Sequence, residues 1–191
     1  MISYKDIFNL FEELLLEITD EELREKTIET WVEGCRQGGW QTVEELHQIP
    51  FTLLTDACGI SFIEHTIAVT RGAMGLLDAQ INVYSKMPYT VNRDILIAGG
   101  ILHDVGKLLE IEPDGKGGYQ KSYSGKIARH PISGTVLAAQ CGLTGPILNT
   151  IAAHAKEGDG RPRSLETVLI HQADFATFDP LVLKKSNMLL D

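Results

Sequence analysis

The sequence lacks three features that would place it in a common class at once. Its three cysteines, Cys35, Cys58 and Cys141, are odd in number and include no CxxC pair, so neither a disulfide framework nor a thiolate zinc site is expected. Buried free thiols are the simplest interpretation. No apolar run approaches the length of a membrane span. The N-terminus carries acidic residues where a signal peptide has a basic start. We therefore expect a cytoplasmic protein without a membrane partner.

Positive charge is also scarce. Residues 1–50 hold 12 acidic and 4 basic residues, whereas residues 51–191 hold 14 acidic and 13 basic residues. No basic stripe could follow a nucleic-acid backbone over many phosphates, so a long nucleic acid is not expected as a partner. Small phosphorylated molecules remain open. The 191 residues suffice for one domain with a helical extension.

Six residues form an ordered set of metal-ligating types. In chain order they are His65, His103, Asp104, His130, His154 and Asp174. The gaps between the successive histidines and the last aspartate are 38, 27, 24 and 20 residues. Each gap fits one helix and a connection, so the ligands could arrive on separate helices of a bundle. Imidazole and carboxylate groups bind divalent transition metals, and Asp104 could bridge two ions.

The apolar surroundings of Asp104 strengthen this interpretation. Asp104 lies in ILHDVGKLL, where an ionised carboxylate costs several kcal/mol unless it is paired or binds a metal. Asp174, in IHQADFATF, repeats the situation. Lys107 would place a cation near the same site. Two acids and several histidines in apolar helices indicate one shared internal site.

Periodicity and capping signals predict helices along most of the chain. Thr19 with Glu22 and Thr42 with Glu45 form capping-box signals, which predict one helix that runs to about residue 35 and another that ends at Pro50. Apolar periodicity predicts further helices over residues 3–18, 61–84, 92–109, 131–141, 146–156 and 164–178. His103 and Asp104 would lie late in the helix over 92–109. Turn residues between 110 and 124 predict a hairpin or an ordered loop. Residues 1–55 would form a helical extension that packs on a core of residues 56–191.

The pattern H…HD…H…H…D with the run HDVGK resembles the HD superfamily of metal-dependent phosphohydrolases over about residues 60–180. The resemblance implies an all-α fold, an HD-domain helical bundle with the N-terminal extension and at most one short β-hairpin. It implies that His65, His103, Asp104 and Asp174 hold one ion, and that His130 and His154 hold a second, bridged by Asp104. Mononuclear members resemble H…HD…D alone, so the additional histidines favour two metals. Iron or manganese suits such a site best, and zinc, nickel or cobalt also fits.

The resemblance also implies a reaction. Two cations would lower the pKa of a bridging water and clamp the phosphoryl oxygens of a small phosphorylated substrate such as a nucleotide. Asp104 and Lys107 would be the catalytic residues, and Lys107 would contact a phosphoryl oxygen. Arg161 and Arg163 would bind a second phosphate, although solvated loop charges are the simpler interpretation. His171 would either support a ligand or simply pack.

Several branches of the superfamily remain open. The segments GYQKSYSGKIARHPISG and HAKEGDGRPRSLETVLIHQADFA resemble the HD module of bacterial 3′→5′ exoribonucleases, but an acidic helical segment replaces their OB-fold domain. Ala155 and residues 160–162 differ from the residues that the HD-GYP cyclic-dinucleotide phosphodiesterases carry at the corresponding positions of their motif. A mixed-valent di-iron oxygenase would use the same ligands, and a non-catalytic scaffold would bind no metal. A general phosphatase or phosphodiesterase is the preferred hypothesis, and the oligomeric state stays open.

Overall fold

The first 60 residues form helices that precede the predicted ligands. The computed structural model describes residues 1–190. Its first helices are α1 (Tyr4–Leu10), α2 (Glu12–Leu15), α3 (Glu21–Gly38) and α4 (Val43–Gln48). The expected single helix over 3–18 is interrupted at Phe11, whose ring packs at 4.9 Å from that of Trp31. The Thr42–Glu45 capping box is confirmed.

The six predicted ligands lie on the remaining elements or directly beside them. They are α5 (Phe62–Val83), α6 (Arg93–Leu102), α7 (Lys107–Glu110), β1 (Ile111–Pro113), β2 (Tyr119–Lys121), α8 (Tyr123–Ile127), α9 (His130–Gln140), α10 (Gly145–Ala153) and α11 (Leu165–Lys185). The strands β1 and β2 pair antiparallel in a hairpin. The predicted all-α fold with one short hairpin is confirmed. Within residues 1–190, no helix combines the length and apolar character needed to cross a bilayer.

The prediction of a helix cap at Thr19 is wrong. Asp20 caps α3 by accepting a hydrogen bond from the backbone N–H of Leu23. The Thr19 hydroxyl instead donates to Asp94 on α6, at 2.7 Å. A partner 75 residues away in the chain thus replaces the local capping box.

The prediction of one helix over 92–109 is also wrong. The helix α6 ends at Leu102, and His103 and Asp104 lie in a turn that leads into α7. Gly106 explains why the chain turns there: a Cβ at this position would come within 2.1 Å of the His130 carbonyl oxygen. The turn therefore lets the backbone pack directly against the start of α9 and aims two ligands at the centre of the bundle.

The N-terminal helices and the ligand-bearing helices share one hydrophobic core. Trp31 is fully buried and stacks on Phe62 at 5.1 Å. Its indole nitrogen donates to the carbonyl oxygen of Ile101, and that of Trp40 donates to Leu108 at 2.9 Å. Residues 1–55 thus contact the elements on both sides of the turn at His103 and Asp104.

Close helix crossings fix the positions of α5, α6 and α11. A Cβ at Gly100 would lie 2.7 Å from the Thr70 hydroxyl oxygen, and one at Gly72 would lie 3.3 Å from the Ala173 Cβ. These small residues let α6 and α11 approach α5. As a result, side chains from three helices meet in a confined space.

The three cysteines are free thiols, but they do not share one environment. Cys35 is buried, Cys141 is half-buried and Cys58 is exposed. The expectation of buried thiols was therefore wrong for Cys58, which lies in the loop between α4 and α5. Burial raises the pKa of the Cys35 thiol to about 12, so that thiol is held in its neutral form.

Candidate metal centre

The six predicted ligands meet at one point inside the bundle. His65 lies in the first turn of α5, His103 and Asp104 follow α6, His130 begins α9, His154 follows α10 and Asp174 lies within α11. The four histidines and Asp104 are buried, and the Asp174 side chain is 16% exposed. Separate elements thus deliver the ligands, as the gaps in the sequence predict.

The two carboxylate oxygens of Asp104 face different histidines. Oδ2 lies 3.4 Å from His65 Nε2 and 3.3 Å from His103 Nε2. Oδ1 lies 3.1 Å from His130 Nε2 and 3.4 Å from His154 Nε2. Two potential metal-binding groups therefore share Asp104, one with His65 and His103 and the other with His130 and His154.

Asp174 lies beside the first of these groups and contacts one of its members, His65. Its Oδ1 lies 3.2 Å from His65 Nε2. Two donors bonded to one ion at about 2.1 Å lie roughly 3.0 to 3.4 Å apart, for octahedral and tetrahedral angles respectively. The nitrogen–oxygen distances around Asp104 and Asp174 therefore match those expected between donors that share an ion.

The hydrogen bonds of the imidazole rings show which nitrogen is available. Carbonyl oxygens only accept, so His103 Nδ1 donates to Gly100 at 2.6 Å and His154 Nδ1 donates to Ile151 at 3.0 Å. The Thr177 hydroxyl gives its proton to the Asp174 carbonyl, so it accepts from His65 Nδ1 at 3.3 Å. In its neutral form, each of these rings consequently carries its lone pair on Nε2.

These Nε2 atoms lack partners, which makes the site suited to a cation. Across residues 1–190, the buried Nε2 atoms of His65, His103 and His154 have no hydrogen-bond partner. Buried polar atoms are normally paired, and several lone pairs that face carboxylate oxygens repel one another. A divalent ion would remove both problems, because neutral imidazole nitrogens and carboxylate oxygens are its usual ligands. The residues therefore fit a divalent metal.

Ionisation of the acids supports the same conclusion. Burial opposes the charge on Asp104, but the Lys107 ammonium and the His103 ring hold the pKa of Asp104 well below its usual 3.8. Burial also opposes the charge on Asp174, yet the adjacent His65 ring, whose Nε2 lies 3.2 Å from Oδ1, lowers the pKa of Asp174 to about 2. Burial lowers the pKa of His154 and keeps the ring neutral. At neutral pH the site thus offers two carboxylates and the unprotonated imidazole of His154.

An HD domain model matches residues 62–176 of this chain. The chain belongs to the HD domain family. The match covers more than half of the chain and includes all six predicted ligands, so the resemblance inferred from the sequence is confirmed. Its first residue coincides with the start of α5.

Individual relatives are more distant. The chain is 28% identical over 166 residues to a dihydroneopterin 2′,3′-cyclic phosphate phosphodiesterase of Methanocaldococcus jannaschii. The aligned region covers 84% of this chain and 64% of that protein. It is 26% identical over 154 residues to ribonuclease Y of Clostridium botulinum strain Hall, and the aligned region covers 81% of this chain but 24% of that enzyme. Ribonuclease Y of Desulforudis audaxviator is 31% identical over 116 residues, 61% of this chain and 18% of that protein. The chain thus spans about a quarter or less of these ribonucleases. No solved structure gave a significant match.

A cavity opens over the HD centre and reaches Asp104, His130 and Asp174. Its other lining residues are Phe51, Thr52, Leu53, Leu54, Lys107, Glu110, Ile111, Lys121, Arg129, Ala155, Lys156, Glu157, Phe175 and Phe178. They include four cationic side chains, two further acids that pair with Lys121 and Arg129, and several apolar side chains. A ligand in this cavity would meet the candidate metal-binding acids Asp104 and Asp174, cationic side chains and the rings of Phe51, Phe175 and Phe178.

Lys107 lies where the HDVGK run predicts it, beside Asp104. Its ammonium group donates to Asp104 and, at 2.6 Å, to the carbonyl oxygen of Phe51. The same group lies 5.7 Å from the centre of the Phe51 ring, which stacks on His65 at 4.3 Å. Lys107 therefore contacts both the centre and the loop that precedes α5.

The two arginines predicted to bind substrate do not line this cavity. The Arg163 guanidinium donates to the carbonyl oxygens of Ala153, at 2.7 Å, and Ala155, at 3.2 Å, and so stabilises the loop after α10. Arg161 is exposed in the same loop. A role for either in substrate binding stays a prediction. His171 donates from Nδ1 to the His154 carbonyl oxygen, a position from which it could support that ligand.

Sequence reasoning missed two residues that contact the ligands. Phe51 stacks on His65, and nothing in its local sequence marks it, since it follows Pro50 outside the matched region. Glu110 contacts His130 and is buried. A signal existed for Glu110, because an acid in the apolar run LLEI requires a partner for the same reason as Asp104.

Proposed function

We propose that this chain is a metal-dependent phosphohydrolase that cleaves a small phosphate ester, a phosphomonoester or a phosphodiester, at a dinuclear centre. The observation that carries the proposal is the position of Asp104 between two groups of Nε2 atoms. One oxygen faces each group, as a bridging carboxylate requires. Membership of the HD domain family supports the same reaction class. The names of the relatives, ribonuclease and cyclic phosphate phosphodiesterase, support it as well.

His65, His103, Asp104 and Asp174 would hold the first ion. His130 and His154, with Asp104, would hold the second. When bound, two such cations supply a water of lowered pKa and neutralise charge on the phosphoryl oxygens. Iron or manganese is the preferred metal, and zinc, nickel or cobalt fits the same donors.

The residues of the cavity would bind and orient the substrate. Lys107 would contact a phosphoryl oxygen beside Asp104, because its ammonium group is already within hydrogen-bonding distance of that carboxylate. Lys121, Arg129 and Lys156 line the same cavity and would attract an anionic substrate. The rings of Phe51, Phe175 and Phe178 would pack against the apolar part of the leaving group and exclude water from it.

A small substrate is favoured over a long nucleic acid. The formal net charge is −9, so a polyanion would be repelled by the protein as a whole. The relative from M. jannaschii is named for a small cyclic phosphate ester, which makes cyclic phosphodiesters and nucleotides the first compounds to assay. The ribonuclease Y names make a short oligoribonucleotide the comparison substrate.

The oxygenase hypothesis shares every ligand with this proposal. The four cationic side chains in the cavity favour hydrolysis of an anionic ester, because their charge suits phosphate and supplies nothing to the activation of oxygen. An oxygen electrode would test the oxygenase directly, with the iron-loaded protein and organic substrates.

The test is metal content combined with a hydrolase screen. Mass spectrometry would count the metals in protein purified without added metal, and the protein reloaded with Mn²⁺ would be assayed against p-nitrophenyl phosphate, bis-p-nitrophenyl phosphate and 2′,3′-cyclic nucleotides. We expect two ions per chain and metal-dependent release of product, both abolished in Asp104→Ala, with helix content retained. A protein that binds no metal after reloading would be a scaffold. Oxygen consumption without ester hydrolysis would establish the oxygenase.

A further inference from the structure

Glu110 is a buried acid that belongs to neither metal-binding group. It is the last residue of α7 and is 6% exposed. The start of α8 packs directly against it, since a Cβ at Gly125 would come within 2.5 Å of the Glu110 carbonyl oxygen. A carboxylate confined in this way needs specific partners in place of water.

Its main partner is His130. Glu110 Oε2 accepts hydrogen bonds from the backbone N–H of His130, at 2.6 Å, and from His130 Nδ1, at 2.9 Å. Two bonds to one oxygen fix both the start of α9 and the angle of the ring. Because the proton is then on Nδ1, the Nε2 lone pair of His130 faces Asp104 Oδ1, 3.1 Å away.

His130 differs in this respect from the other three histidines of the centre. His103 and His154 donate from Nδ1 to backbone carbonyl oxygens, and His65 donates to the hydroxyl of Thr177. Within residues 1–190, only the ring of His130 has a carboxylate on its Nδ1 side. A carboxylate draws the Nδ1 proton more strongly than a neutral oxygen does and makes Nε2 a stronger donor to a metal.

We propose that Glu110 is the positioning residue of the second ion: it sets the tautomer and orientation of His130 and strengthens its Nε2 as a ligand. The inference rests on the dinuclear centre proposed above. Glu110 acts only through His130 and makes no contact with the first group of ligands. Removal of its charge should therefore weaken one ion and leave the other in place.

Two cationic side chains of the cavity lie near the other oxygen of Glu110. Lys121 Nζ lies 3.2 Å from Oε1, and Arg129 Nε lies 4.0 Å from it. Lys121 ends the hairpin strand β2, and Arg129 directly precedes His130. These cations offset the buried charge of Glu110 and link the hairpin to the second metal position.

The experiment titrates metal-free protein with Mn²⁺ and measures free Mn²⁺ by electron paramagnetic resonance. Glu110→Gln keeps the shape of the side chain and removes its charge. We expect the first ion to bind as in the wild type and the second to bind about 10- to 100-fold more weakly. Glu112→Gln, the same change on the hairpin strand β1, is the matched control and should bind both ions normally.

A second measurement reports on the ring itself. Nitrogen-15 chemical shifts of the metal-free protein should show His130 protonated on Nδ1 in the wild type and in Glu112→Gln. In Glu110→Gln the proton should be distributed between Nδ1 and Nε2. A purely structural role for Glu110 would lower stability without altering this distribution, and that result would overturn the proposal.

The titration separates this inference from the proposed function. Equal affinity for the second ion in the wild type and in Glu110→Gln would overturn the role of Glu110 alone. A wild-type protein that binds a single ion would overturn the dinuclear centre. If Glu110→Gln does not fold, Glu110→Asp, which keeps the charge but is one methylene shorter, replaces it with the same expected weakening and the same contrary result.

Discussion

The indole nitrogen of Trp31 donates a hydrogen bond to the carbonyl oxygen of Ile101, 3.0 Å away and two residues before the first ligand of the HD turn. Trp31 lies on α3, outside the residues that the HD domain model matches. The N-terminal segment therefore supports the turn that delivers His103 and Asp104.

Trp31→Phe should destabilise the protein. Phenylalanine leaves the Ile101 carbonyl without its partner and leaves a space beside Phe62, so we expect the free energy of unfolding to fall by about 2–4 kcal/mol. Urea denaturation followed by circular dichroism measures this change. Lys5→Ala, a change on the exposed side of α1, should have little effect. Stability equal to the wild type would mean that the N-terminal helices do not support the turn.

His130→Ala should remove one ion and retain the other. His130 belongs only to the group on the Oδ1 side of Asp104, whereas the Oδ2 side keeps its donors. Metal counting by mass spectrometry should therefore give one ion per chain instead of two. His47→Ala, at an exposed histidine of α4, is the control and should keep both. Loss of both ions would show that the two positions bind metal only together.

Arg129→Gln should lower activity more than Arg161→Gln. Arg129 lines the cavity, whereas Arg161 lies in an exposed loop and does not. A lost charge-assisted hydrogen bond to phosphate corresponds to about 1.5–3 kcal/mol, or roughly 10- to 100-fold in kcat/KM. Steady-state kinetics on a phosphodiester would measure the loss in kcat/KM for each variant. A larger loss in Arg161→Gln would restore the assignment that the sequence suggested.

Acid should weaken the contact between Asp94 and the N-terminal segment. Burial opposes the charge on Asp94, but hydrogen bonds from the Thr19 hydroxyl and from the Asp20 backbone N–H hold its pKa below the usual 3.8. Because the pKa is lowered in the folded state, the stabilisation is complete above 3.8 and is lost as pH falls through the lower folded value.

Urea denaturation of metal-free wild-type protein and Asp94→Asn at pH 5 and pH 3 would test this. The wild type should be more stable than the variant at pH 5, and the difference should shrink at pH 3. A difference that is the same at both pH values would show that the charge of Asp94 contributes nothing to the contact.

Local signals in the sequence determined the helical class and the ligand types. The Thr42–Glu45 box caps α4 because both partners lie within one turn, and the turn residues after Glu110 form the predicted hairpin for the same reason. The six candidate ligands were recognisable because metal chemistry restricts the residue types and because acids in apolar helices need partners.

Only the tertiary structure decided which residues surround those ligands. The helix before His103 ends at Leu102 because Gly106 must pack against α9, and Thr19 bonds to Asp94 instead of capping its own helix. Arg129, not Arg161, reaches the cavity, although both lie close to a predicted ligand in the sequence. Such contacts join residues far apart in the chain, and their energies depend on how whole helices pack. Periodicity and spacing describe neighbours along one element, so they determined most of the helices and the residue types of the candidate ligands. Packing between helices determined the turn at His103 and Asp104, the cavity and the partners of each candidate ligand.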